Sequence, residues 1–211
     1  MEILSRLFGN EAKAKIMRLF IFNPGAHFTL SDIKARTLLV PAKIRPVVEH
    51  LCSMGFLHKR AKLVLHEVKK TSKKRQTVKK DKEIGYTLDQ RFPYLKNLDD
   101  LMAAASLHTD ERLAHRFDGV GRVRLLIASG IFTRQPDGRL DLLLVGDDIN
   151  DKKLARAIST LETDIGRELV YSCLTVQDFH YRLGMHDRLI RDVIDFPHMI
   201  LIDKIGFKSG K

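Results

Sequence analysis

The chain has 211 residues, 44% of them apolar and 30% charged, and 37 Lys+Arg against 26 Asp+Glu give it a net charge of +11. That balance is ordinary for a globular protein and excludes a chain disordered throughout, with length enough for one large or two small cores. The longest apolar runs, LLLV at 142–145 and MILI at 199–202, fall far short of the roughly 20 residues of a membrane-spanning helix.

Charges interrupt the opening MEILSRLFGNEAKAK every few residues, where a secretory signal needs an apolar stretch. A cytoplasmic protein without membrane contact is expected. Cys52 and Cys173 are the only cysteines and form no CxxC pair, and the nine histidines show no HExxH spacing. Reduced, mostly buried thiols, no metal site and no cofactor are therefore expected.

The charge is unevenly placed. Residues 1–100 hold 21 Lys+Arg against 10 Asp+Glu, the whole surplus of 11, while residues 101–211 hold 16 of each. Such segregation predicts that only the first half faces a polyanion.

Asn10 is a suitable cap for a helix to about Phe22, which the NPG turn at 23–25 ends. Thr29 and Asp32 have capping-box spacing, and a short helix with Leu30, Ile33 and Leu38 inward is predicted. After Leu39 and Val40, the positions Ile44, Val47, Val48, Leu51 and Met54 repeat as one buried stripe, with Gly55 as the stop. Pro46 is compatible with this helix if it starts near Ala42 or Lys43.

Two short helices joined by a tight turn form a helix-turn-helix, the second exposing Lys43, Arg45, Glu49 and His50. The alternative is a three-helix bundle with a solvated outer face. FLHKRAKLVLHEV alternates as a strand, and IGYTLD at 84–89 is its predicted antiparallel partner. Between them, residues 69–82 carry eight Lys/Arg: Lys69, Lys70, Lys73, Lys74, Arg75, Lys79, Lys80 and Lys82. A hairpin in this position is a wing, and its charge suits the phosphate backbone of double-stranded DNA. Changing Lys43 or Arg45 is expected to relax sequence preference.

The order LFGNEAKAKIMRLFIFNP, FTLSDIKARTLLVPAKIRPVVEHLCSMGFLHKR and a basic hairpin ending GYTLD resembles the winged-helix domain of prokaryotic transcription regulators, over residues 1–92. The resemblance implies DNA binding as a homodimer. A connecting helix is predicted over 93–108, with Leu95, Leu98, Met102 and Ala105 on a stripe that either makes the dimer contact or packs the domains together. TDERLAHRF at 109–117 reads as another helix.

In the neutral half, RVRLLIASGIF reads as a strand, QPDG as a turn and RLDLLLVGD as a second strand; a helix, the strand ELVYSCLT, two further helices and a last strand HMILID follow. Asp147 and Asp148 are expected to cap the first of these helices. The run SGIFTRQPDGRLDLLLVG, with the helix and LVYSCLTVQDFHYRL after it, resembles the minimal nucleotidyltransferase fold, assigned here to 109–211. The whole is then a two-domain α+β and α/β protein, with an N-terminal winged helix-turn-helix and a C-terminal mixed-sheet domain.

In active nucleotidyltransferases a Gly-Ser pair precedes a helix, an Asp-x-Asp/Glu pair opens the next strand and a third carboxylate follows, together holding two magnesium ions. Here Ser129 and Gly130 stand in reversed order, with no helix-capable stretch before the turn at Pro136. Asp141 matches the first carboxylate, but Leu143 stands at the second, and Val170, Tyr171 and Ser172 supply no third. The resemblance implies a non-catalytic domain for dimerisation or for sensing an unidentified small-molecule effector. Ser129, Thr133, Arg134 and Asp141 are the candidate lining of a remaining pocket; alternatively Asp141 pins the hairpin by hydrogen bonding. The competing function is an active nucleotidyltransferase modifying RNA or protein, with the basic half gripping its substrate.

Overall fold

The computed structural model describes residues 3–68, 77–106, 110–133, 138 and 140–207. The chain is mixed α and β and divides into two units, one of residues 1–105 with 163–167 and one of 106–162 with 168–211.

In the first unit, α1 (Ile3–Leu7) leads into α2 (Glu11–Ile21), whose first turn is capped by Asn10 accepting from the Lys13 N–H at 3.2 Å. Helix α3 (Leu30–Thr37) begins with the predicted capping box. The Thr29 hydroxyl accepts from the Asp32 N–H at 3.1 Å, and the Asp32 carboxylate accepts from the Thr29 N–H at 2.9 Å. Leu38, expected inward, is 60% exposed. It is the cap residue in the left-handed region at φ 54°, which turns the chain off the helix and leaves the buried position to Thr37.

Helix α4 (Pro41–Ser53) starts slightly earlier than expected, with Pro41 in its first turn and Pro46 in its interior. Ile44, Val47, Val48 and Leu51 are buried as predicted, whereas Met54 lies at the C-cap and is 44% exposed. These residues share one core with Ile16, Phe20, Ile33 and Phe56.

Strands β1 (Phe28–Thr29), β2 (Leu57–Val68) and β3 (Thr77–Leu88) make an antiparallel sheet in the order β1-β3-β2, with Leu57 opposite Leu88 and Val68 opposite Thr77. The return strand is twice as long as the 84–89 segment predicted, because β2 carries its pairing into the lysine run. At Gly85 a Cβ would lie 2.2 Å from the His27 imidazole, so a larger residue there would have to displace that ring.

The hairpin base is tied on both strands. The Asp89 N–H donates to the Phe56 carbonyl at 3.0 Å, and the Asp89 carboxylate accepts from the Arg91 N–H at 2.9 Å and meets His58 Nε2 at 2.7 Å. Helix α5 (Leu95–Ser106) buries Met102 in this unit's core and rests the half-buried Leu95 and Leu98 against it. Residues 163–167 complete the unit: buried Arg18 donates to the Asp164 carbonyl, and Asn23 Nδ2 donates to the Gly166 carbonyl at 2.7 Å.

The second unit runs α6 (Asp110–His115), β4 (Arg122–Ala128), a 3₁₀ turn (Gly130–Thr133), β5 (Leu142–Asp147), α7 (Asp151–Ile165), β6 (Tyr171–Leu174), α8 (Val176–Gly184), α9 (Arg188–Ile194) and β7 (Met199–Asp203). The last residues of α7 count with the first unit. The sheet order is β6-β5-β4-β7, with β5 and β6 parallel and the other pairs antiparallel. This is the expected mixed sheet. Two local readings change. The strand predicted through SGIF ends at Ala128, since Gly130 at φ 56° bends the chain into the 3₁₀ turn. Asn150, not Asp147 or Asp148, caps α7 by accepting from the Lys153 N–H at 3.1 Å, while Asp148 pairs with Arg122. Cys52 is half-buried and Cys173 is exposed, against the expectation of mostly buried thiols.

The Asp89 carboxyl is held below the ordinary aspartate range, first by the Arg91 N–H and then by His58. A carboxyl lowered on folding stabilises the fold above its unfolded pKa, and that contribution is lost as pH falls through the folded value. Thermal unfolding followed between about pH 5 and pH 2 is expected to show a shallower acid-side loss in Asp89→Asn than in the parent.

Candidate functional site

Two regions carry the predicted site residues. In the first unit, Lys43, Arg45, Glu49 and His50 are all exposed on α4. His50 Nε2 lies 3.4 Å from Lys13 Nζ, which adds a cation from α2 beside the helix. The first turn of α4 holds no acidic residue of its own, and the positive end of a helix dipole favours an anion. Val40, just before it, is an exposed aliphatic at 56%. Lys79 and Lys80 occupy β3 opposite His66 and Leu65. Lys69, Lys70, Lys73, Lys74 and Arg75 lie outside the described residues.

In the second unit, Ser129, Thr133 and Asp141 are brought together, and Arg134 lies outside the described residues. Asp141 is only 5% exposed. One carboxylate oxygen accepts from the Ile131 N–H at 3.0 Å and the other from the Val170 N–H at 2.9 Å. Its own backbone continues the clasp: the Asp141 N–H donates to the Val170 carbonyl at 2.7 Å, and the Asp141 carbonyl accepts from the Ser129 N–H at 2.9 Å.

The two hydroxyls are also turned to the backbone. Ser129 Oγ donates to the Leu140 carbonyl at 2.7 Å and Thr133 Oγ1 to the Gly130 carbonyl at 3.1 Å. A Cβ on Gly130 would sit 2.3 Å from the Asp141 carboxylate, so this glycine is what lets the turn close over the acid. The geometry matches the hydrogen-bonding alternative for Asp141. What the sequence did not give was the identity of the partners, because Ile131 and Val170 are backbone donors distant along the chain.

Leu143, which the resemblance set at the second carboxylate, is completely buried. It packs with Leu125, Ile127, Val145, Phe179, Ile190 and Val193 in an apolar core between the sheet and helices α8 and α9. Among the described residues, no group of three or more His, Cys, Asp or Glu is placed to hold a metal ion. A hollow of about 170 Å³ lined by Leu183, His186, Asp187, Ile190 and Arg191 lies at α8 and α9 and was not foreseen; it is smaller than the roughly 300 Å³ at which small-molecule sites begin. Among the described residues, no helix is long and apolar enough to cross a membrane.

Comparison of the chain with protein-family models, with characterised proteins and with solved structures gives no match.

Two substitutions separate a structural Asp141 from a metal-binding one. Asp141→Ala leaves two backbone N–H groups unpaired and is expected to cost about 2–6 kcal/mol of unfolding free energy, at about 1–3 for each. Leu143→Asp puts a second acid two residues from Asp141 but places a charge in the core; circular dichroism is expected to show loss of folded protein that magnesium does not reverse.

Proposed function

We propose that this chain is a DNA-binding transcription regulator, with a winged helix-turn-helix in the first unit and a non-catalytic, nucleotidyltransferase-like domain in the second. The observation that carries the reading is the concentration of the whole positive surplus in residues 1–100, in the same unit as a short helix exposing Lys43, Arg45 and His50 and a hairpin entering a lysine run. In this reading α4 lies in the major groove and the hairpin follows the adjacent phosphates. Two copies would place two such helices on a two-fold site about one helical turn apart.

Assignment of the second unit to dimerisation or effector sensing rests on Leu143 being core and on Asp141 being engaged by backbone donors. Two magnesium ions need several hard oxygen ligands to offset their dehydration, and Leu143 supplies none. Incubation with labelled nucleotides and magnesium is expected to leave RNA and protein substrates unlabelled; labelling that disappears in Asp141→Ala would reverse this assignment.

DNA binding is tested through its salt dependence. Each phosphate contact contributes about 0.9 to the slope of log affinity against log salt. Replacing Lys73, Lys74 and Arg75 together by Ala is expected to flatten that slope by up to about 3, one contact each, and to weaken all duplexes alike. A slope unchanged from the parent would remove the wing from the interface.

A further inference from the structure

Helix α4 places its cations at the sides of its outward face and not at the centre. At about 100° per residue, Ala42, Pro46, Glu49 and Ser53 fall within about 60° of one another, directly opposite the buried stripe Ile44, Val47, Val48 and Leu51. All four are exposed. Lys43 and Arg45 lie about 90° and 70° to either side of that centre line. The centre of the helix's outward face in its N-terminal half is therefore a methyl group and a pyrrolidine ring, bordered by one cation on each flank.

Pro46 is the anomaly. It lies in the helix interior and is exposed, so its ring contributes nothing to the core. Lacking an N–H, it also leaves the Ala42 carbonyl without its usual helical donor. Proline is the least favourable residue for a helix interior. An unfavourable residue with no inward contact points to a use on the outer surface.

We infer that Ala42 and Pro46 contact thymine 5-methyl groups in the major groove, while Lys43 and Arg45 hold phosphates of the two strands bordering it. This rests on the DNA-binding reading above and deepens it. The major groove presents that methyl at every A·T pair, and apolar side chains are its natural complement. Glu49, one turn further along the same line, is repelled by phosphate and accepts from a cytosine amino group instead. The flanking cations supply the charge complementarity that brings a polyanion to an otherwise apolar ridge. Sequence preference then resides in the uncharged pair, and Lys43 and Arg45, which the sequence alone suggested as base readers, instead supply affinity common to all duplexes.

The test uses the full chain. Duplexes bound by the protein are first selected from random DNA; each thymine of the recovered site is then replaced by deoxyuridine, which removes only the methyl group. At one or two positions the parent is expected to lose about fourfold in affinity, the value of one methyl group returned to water. In Ala42→Ser and Pro46→Ser that penalty is expected to vanish. Serine suits a helix interior better than proline, so Pro46→Ser keeps the fold, and its melting temperature is measured alongside. Lys43→Ala and Arg45→Ala should weaken every duplex equally and lower the salt slope by about one each.

Deoxyuridine duplexes bound as tightly as thymine ones, or a penalty that persists in both serine variants, would overturn the inference and leave DNA binding standing. If no duplex is bound even at low salt, the DNA-binding reading falls and takes this assignment with it.

Discussion

The second unit is organised around one buried carboxylate. Asp141 stands at the entry to β5 and ties the turn after β4, through Ile131, to the start of β6, through Val170. A carboxylate is stable in such a place only when backbone donors replace the water it has lost, and here each oxygen has one. The clasp sets where β4 ends, where β6 begins and how the parallel β5–β6 pair is aligned. With Gly130 closing over it, the acid faces inward to the chain's own amides. Asp141 thus serves as a joint between three strands.

The same strand accounts for what lies next to the joint. Side chains alternate across β5, so Asp141, Leu143 and Val145 share one face. That face is the one on which α8 and α9 pack, and Leu143 sits among Phe179, Ile190 and Val193. Leucine at 143 makes this part of the strand core. The first unit is arranged differently: α2 is buried on all sides from Ile16 to Ile21, while α4 commits one stripe to the same core and leaves its opposite face to solvent.

Elements governed by local chemistry were legible in the sequence. Asn10, the Thr29–Asp32 box and the stripe Ile44, Val47, Val48 and Leu51 sit where caps and helical spacing put them. The order of strands and helices in the second half was equally readable from alternation and turn residues. Elements fixed by distant partners were not. The lysine run shows no strand pattern, and only the pairing with β2 makes residues from Thr77 onward a strand. Leu38 follows helical spacing, yet the left-handed cap turns it outward. Asp141 was recognisable as the candidate acid, but its partners are main-chain amides, and a main-chain amide has no letter in a sequence.

The interleaving of the two units bears on how the protein emerges from the ribosome. Residues 163–167 belong to the first unit, although residues 106–162 of the second precede them. Strand β4 waits longer still, since Leu125 pairs with Asp203 and Ala128 with Met199. During translation an apolar strand edge therefore stays unprotected until the last strand has been made, and pairings this far apart in the chain form slowly. The nascent polypeptide passes through a stage in which neither half is finished, when the cell's chaperones have most reason to attend to it.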